Sequence, residues 1–175
     1  MPISYPDALS RIGWKIIQVK PKSVLDIGCG CGLYGVLARE YTDIDQRRLE
    51  PSTWQARIEA VEVFPAYVGE VHEWAYDRVF IGDALEILPD LGRYDLIICA
   101  DVIEHFSFED GSRLLDTIRD KSDHAILSTP AKWIPQKDVF GNEHETHRHH
   151  WTGEQLSRWG TVVQIGSTLV LEMSA

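Results

Sequence analysis

The chain has 175 residues, 44% hydrophobic and 25% charged. That fits one globular domain with a core large enough to need no disulfide or metal staple, and it excludes a disordered chain, a fibre and a membrane protein. With 17 Lys and Arg against 27 Asp and Glu the formal net charge is −10, so double-stranded nucleic acid is not expected as a partner and a cationic or zwitterionic ligand suits the chain better.

Taken in chain order, apolar Ile12, Trp14, Ile16 and Ile17 predict a leading helix over residues 8–18, within a leading segment 1–22. Residues 24–27 form the first strand, bounded by Pro21 and Gly28, and 33–41 read as a helix. Residues 42–54 are polar and read as a loop. A second strand covers 58–64 and a helix 66–75; a third strand covers 78–81 and a short helix 85–91. The fourth and most apolar strand is 94–100, followed by a helix over 113–119 and a fifth strand over 125–128. Residues 135–151 are a long, polar, histidine-rich candidate lid loop, and the run from Thr152 to Gln155 has the pattern of a helix cap. Two last β runs, 162–165 and 168–171, are joined by Gly166-Ser167, a two-residue hairpin signal. Strands alternating with helices mean a parallel sheet covered on both faces. The expectation is a single α/β domain, doubly wound, with a mostly parallel seven-stranded sheet that ends in an antiparallel hairpin.

The three cysteines, Cys29, Cys31 and Cys99, do not make a disulfide framework and suit a reducing compartment. The amino terminus shows no basic stretch followed by an apolar one, and the apolar runs are too short to span a bilayer, so a cytoplasmic protein without a signal peptide is expected.

The chemistry starts at Asp26-Ile27-Gly28-Cys29-Gly30-Cys31-Gly32, between a strand and a helix. Glycines there let backbone turn tightly and approach a ligand, and the helix start favours an anionic group. The frame Gly30-x-Gly32-x-x-Gly35 also matches a dinucleotide fingerprint. Yet Asp26 would oppose a pyrophosphate, and it suits an ammonium. Glu62, Asp83 and Asp101 follow the second, third and fourth strands. In an open α/β sheet the crevice lies outside the strands' carboxyl ends, so four acids converge on it. Together they describe a ligand with an amine, a ribose diol, an exocyclic base amine and a positive centre.

These motifs resemble those of the class I S-adenosylmethionine-dependent methyltransferases, in their small-molecule branch. Val24-Leu25-Asp26-Ile27-Gly28-Cys29-Gly30-Cys31-Gly32 is similar to the family's first motif, Val61-Glu62-Val63 to its second, Gly82-Asp83-Ala84 to its third, and Tyr94 through His105 to its fourth. The resemblance implies a Rossmann-like fold and S-adenosyl-L-methionine as cofactor. It also implies that Gly28, Gly30 and Gly32 hold the methionine part, with Asp26 near its amine. Glu62 would take the ribose hydroxyls, Val63 would pack on adenine, and Asp83 and Ala84 would meet the adenine amine. Ala100 and Asp101 would line the methyl end.

The reaction expected is methyl transfer to a small-molecule acceptor, at oxygen. His105, just past the fourth strand, is a candidate base. The histidine-rich segment admits a metal reading through His144, Glu145 and later histidines, but it is taken as a substrate lid, with His147 catalytic, Trp151 touching the acceptor and no metal assigned. The alternatives are a nicotinamide-dependent oxidoreductase, from the dinucleotide frame, and a non-catalytic S-adenosylmethionine-binding partner subunit.

Overall fold

A computed structural model describes residues 6–139 and 141–174. Residues 1–5, where the sequence predicts no signal peptide, lie outside the described residues.

The leading helix α1 (Leu9–Val19) precedes β1 (Ser23–Ile27). Then come α2 (Leu33–Arg39), β2 (Arg57–Glu62), α3 (Glu70–Ala75), β3 (Arg78–Ile81), α4 (Ala84–Ile87), β4 (Tyr94–Ala100), α5 (Phe108–Lys121) and β5 (Ser122–Pro130). The chain ends with α6 (Gly153–Leu156) and the hairpin β6 (Thr161–Ile165) and β7 (Thr168–Ser174). The sheet has seven strands in the order β3-β2-β1-β4-β5-β7-β6. The pairs among β1 to β5 are parallel, and β7 runs antiparallel to both β5 and β6. The order reverses between β1 and β4, which opens a crevice at their carboxyl ends.

Strand periodicity divides the core into two layers. Leu96, Ile98 and Ala100 of β4 pack with Val24, Ile12, Ile16, Tyr34 and Tyr76 on the face covered by α1, α2 and α3. Ile97 and Cys99 point the other way, to Leu25, Ile27, Leu114, Leu115 and Ile118 beneath α4 and α5. Asp26 has the parity of Val24, so it faces the first layer.

Several boundaries differ from the sequence reading. The 66–75 helix is a 3₁₀ turn (Pro65–Tyr67) followed by α3, because Gly69 interrupts it in extended backbone. The last part of the 33–41 helix and the start of the polar loop form a π turn over Glu40–Ile44. That loop is also partly built: Asp43 is fully buried and joins Arg39 (2.8 Å), Arg48 (2.7 Å) and the Gln55 N–H. Thr152 and Gln155 do form the expected capping box.

Candidate functional site: the crevice at the switch point

A cavity of about 640 Å³ opens at the carboxyl ends of β1, β2 and β4, within the range of about 300–1,000 Å³ typical of small-molecule sites. Gly28, Gly30, Glu62, Val63, Asp83, Ala84, Ala100, Asp101, His105 and His147 all line it. Six acidic residues line it, Glu62, Asp83, Asp101, Glu104, Asp110 and Glu145, a lining that favours a cation.

The glycine turn is held from below. Gly28 has φ 70°, and a Cβ there would strike Val102. The Gly28 N–H donates to Val61 O (2.8 Å). The Gly30 N–H donates to Glu62 Oε2 (2.9 Å), and Phe64 N–H donates to Oε1 (2.9 Å). Glu62 is 4% exposed, and burial raises its pKa, opposed by these two donors. Each carboxylate oxygen keeps accepting capacity beyond one bond. So Glu62 both anchors the turn and can take hydroxyls.

His72 went unnoticed in the sequence. Gly69 N–H donates to its Nδ1 (3.1 Å), which puts the ring proton on Nε2, and that nitrogen donates to Gly30 O (2.9 Å). Tyr76 is the second such support: its hydroxyl donates to Asp26 Oδ2 (2.6 Å) and accepts from Gly35 N (3.0 Å). Neither residue sits in a motif. Both lie on or beside α3, far along the chain from the turn they support, and no local pattern marks them.

Three expected contacts are placed otherwise. Asp26 is 1% exposed and does not line the cavity; it lies under the turn with Oδ1 unpartnered. Burial, opposed by the Tyr76 hydroxyl and reinforced by the Glu62 charge, pushes its pKa up to about 7. Gly32 also stands back from the cavity, as the N-cap of α2 with φ 86°. Trp151 is fully buried and does not line the cavity. Its ring fills the space that Gly111 of α5 leaves open, and its Nε1–H donates to Ile103 O (3.0 Å). An apolar ring of this size wins more from the core than from a polar loop. The dinucleotide frame has a similar explanation. A side chain on Gly35 would fall inside the Tyr76 ring, so that glycine serves helix packing.

At the far end of the cavity, β4 is followed by Asp101, a non-glycine residue at φ 55° whose N–H donates to Ser128 O (2.9 Å) and whose Oδ1 accepts from Ser128 Oγ (3.0 Å). The turn Ile103–His105 follows. Glu104 is 3% exposed and accepts from Thr129 Oγ1 (3.0 Å); burial and then Asp101 raise its pKa well above the carboxylate range. Burial, and next His147, lower the His105 pKa to about 4, so its ring is neutral near pH 7. The His105 and His147 rings stand 4.8 Å apart, edge to face. One ligand-type atom from each of Glu104, His105 and His147 lies within 4.8 Å of the others. In the sequence Glu104 stands only as part of the fourth motif; its burial beside His105 and Thr129 is set by the tertiary fold.

The 135–151 loop crosses the cavity. Gln136 Nε2 donates to Glu145 O (2.7 Å), and Tyr67 OH donates to Glu145 Oε1 (2.9 Å), tying the loop to the turn after β2. Arg148 and His149 N–H groups donate to Glu104 O (2.8 and 3.2 Å), tying it to the end of β4. No helix among the described residues is long and apolar enough to cross a membrane.

A family model described as a methyltransferase domain matches residues 3–162. The curated ribosomal protein L11 methyltransferase of Cupriavidus necator is 25% identical over 75% of this chain and 44% of its own length. The chain therefore spans less than half of that relative. The structure of magnesium protoporphyrin IX methyltransferase from Synechocystis PCC 6803 with bound S-adenosylmethionine is 18% identical, with TM-score 0.60 over 94% of this chain and 76% of that one. A putative O-methyltransferase from Nostoc punctiforme PCC 73102 is also 18% identical, with TM-score 0.65 over 95% of this chain and 55% of its own. These two likenesses show the fold.

Proposed function

The chain belongs to the methyltransferase-domain family, and on that premise we propose that it moves a methyl group from S-adenosylmethionine to the oxygen of a small molecule held under the 135–151 loop. When bound, the cofactor supplies an electrophilic methyl on a positive sulfur. The residues present fit it. Gly28 and Gly30 line the cavity, Glu62 has lone pairs left for a ribose diol, and Asp83 and Ala84 also line it and would meet the adenine amine. Asp83 serves α4 as well, accepting from Leu85 N–H (2.8 Å). Asp26, raised to about 7 without ligand, would ionise beneath the turn when an ammonium binds above it.

The observation that carries the acceptor reading is the Glu104, His105 and His147 cluster at the Asp101 end of a roofed cavity. An acceptor hydroxyl is a weak nucleophile until its proton is drawn away. Neutral imidazole nitrogens and a buried carboxylate are the groups for that task. The loop excludes water from the methyl and limits the acceptor to something that fits beneath it.

A protein acceptor is the second reading, favoured by the name of the Cupriavidus relative. A radiolabelled S-adenosylmethionine assay against small hydroxyl and carboxyl compounds and against folded basic proteins separates the two. Label on a small oxygen acceptor is expected. Turnover with His147→Ala should fall by about 10²–10⁴-fold, with cofactor affinity unchanged. Label on proteins alone would overturn the small-molecule reading.

A further inference from the structure

We propose that Glu104, His105 and His147 bind a divalent first-row transition-metal ion, and that the ion clips the 135–151 loop onto the end of β4. The inference deepens the methyl-transfer reading and rests on it for the chemistry alone, since metal binding is read without turnover.

Ring tautomers come first. His147 Nδ1 lies 2.6 Å from Ile134 O, and His105 Nδ1 lies 3.4 Å from Thr146 O. A carbonyl only accepts, so each Nδ1 carries a proton, and in the neutral ring that leaves Nε2 as the nitrogen able to ligate. A histidine that ligates a metal through one nitrogen characteristically gives its other N–H to a carbonyl or carboxylate, which fixes the ring.

The carboxylate makes the second argument. Glu104 is nearly fully buried, and its side-chain bond comes from the neutral Thr129 hydroxyl. No Lys, Arg or His forms an ion pair with it among the described residues. Asp101 adds a like charge nearby. Buried carboxylates are ordinarily paired or bound to a metal. A cation between Glu104 and the two Nε2 lone pairs supplies that partner.

The donor set, two imidazoles and one carboxylate, suits zinc, manganese, iron or cobalt better than magnesium or calcium, which prefer all-oxygen sites. The other histidine-rich residues are differently engaged. Glu145 is held by Tyr67 and Gln136, and His149 and His150 contact Gln155 and Ala131 O.

The three ligand atoms lie within 4.8 Å of one another, whereas ligands at about 2.1 Å from an ion stand about 3–3.5 Å apart. Glu104 and His105 belong to the turn after β4, and His147 belongs to the loop. Binding therefore draws the loop inward. Three protein ligands leave coordination positions open on the cavity side, where an acceptor hydroxyl can bind as its oxyanion near neutral pH, its proton released to solvent as the complex forms. Glu104, His105 and His147 then act together as holders of the ion, and the ion takes the place of a free base.

The test uses the full chain, stripped with EDTA and titrated with cobalt chloride. Calorimetry and visible absorption report binding, trypsin sensitivity reports loop order, and S-adenosylhomocysteine affinity is measured in parallel. The expected result is one cobalt per chain and slower cleavage within 135–151. His147→Ala and Glu104→Gln should each weaken cobalt binding at least tenfold, and His150→Ala should leave it unchanged. Retained S-adenosylhomocysteine affinity in the variants shows that the fold has survived. Absence of saturable cobalt binding overturns the inference, as does binding that His147→Ala leaves intact or that His150→Ala abolishes. If S-adenosylhomocysteine binds and cobalt does not, the metal inference fails and the methyl-donor reading stands; the reverse result fails the reading and keeps the metal.

Discussion

At residue 26 a carboxylate sits against a tyrosine hydroxyl with one oxygen unpartnered, and its pKa is raised to about 7. A carboxyl whose folded pKa exceeds its unfolded one favours the fold when protonated. That stability is fully present below about pH 4 and is lost as pH rises through about 7. By linkage the loss between pH 5 and pH 8 is on the order of 2–3 kcal/mol. Asp26→Asn removes the charge and keeps an oxygen for Tyr76. Its melting temperature relative to the parent should therefore climb from pH 5 to pH 8, measured without ligand. A difference that stays constant with pH would contradict a neutral, buried Asp26. The sequence showed this acid but not its direction. Strand parity, which pairs Asp26 with Val24 on the α2–α3 face, explains why it lies under the turn. Trp151 was harder to place, because a tryptophan after a polar histidine run carries no local sign of the gap at Gly111 that receives it.

Among the elements, α2 and α3 show how packing and site depend on one another. The contact is between Gly35 and Tyr76, and Tyr76 in turn holds Asp26. Gly35→Ala would force a methyl into the Tyr76 ring. Overpacking of this kind costs about 1–3 kcal/mol, and it should also weaken S-adenosylhomocysteine binding by shifting the turn. Chemical denaturation and calorimetry on the same variant check both effects; full stability with full affinity would contradict the packing role. The strands were legible because buried parallel strands read as apolar runs, and β3 and β4 have the bounds expected. The ends of α5 and β5 were not. Capped by Ser107, α5 starts at Phe108, five residues before the helix expected at 113. β5 extends to Pro130 because β7 pairs with it along its length, a long-range contact without a local pattern. The buried Arg39–Asp43–Arg48 network was hidden for the same reason: a charge run usually reads as a solvated loop, and only the tertiary fold encloses it.

For the whole molecule, a net charge of −10 and an acid-lined crevice at the sheet's switch point select for a cationic ligand and against a pyrophosphate. That contrast separates an adenosyl sulfonium site from a nicotinamide site. A ligand at about 100 times its dissociation constant stabilises a fold by roughly 2.7 kcal/mol, or about 5–10 °C in a domain of this size. Calorimetric titration of the chain with S-adenosylhomocysteine and, separately, with NADH tests the assignment most directly. Saturable binding of one S-adenosylhomocysteine per chain with no heat from NADH is the predicted result, and binding of NADH without S-adenosylhomocysteine would contradict it.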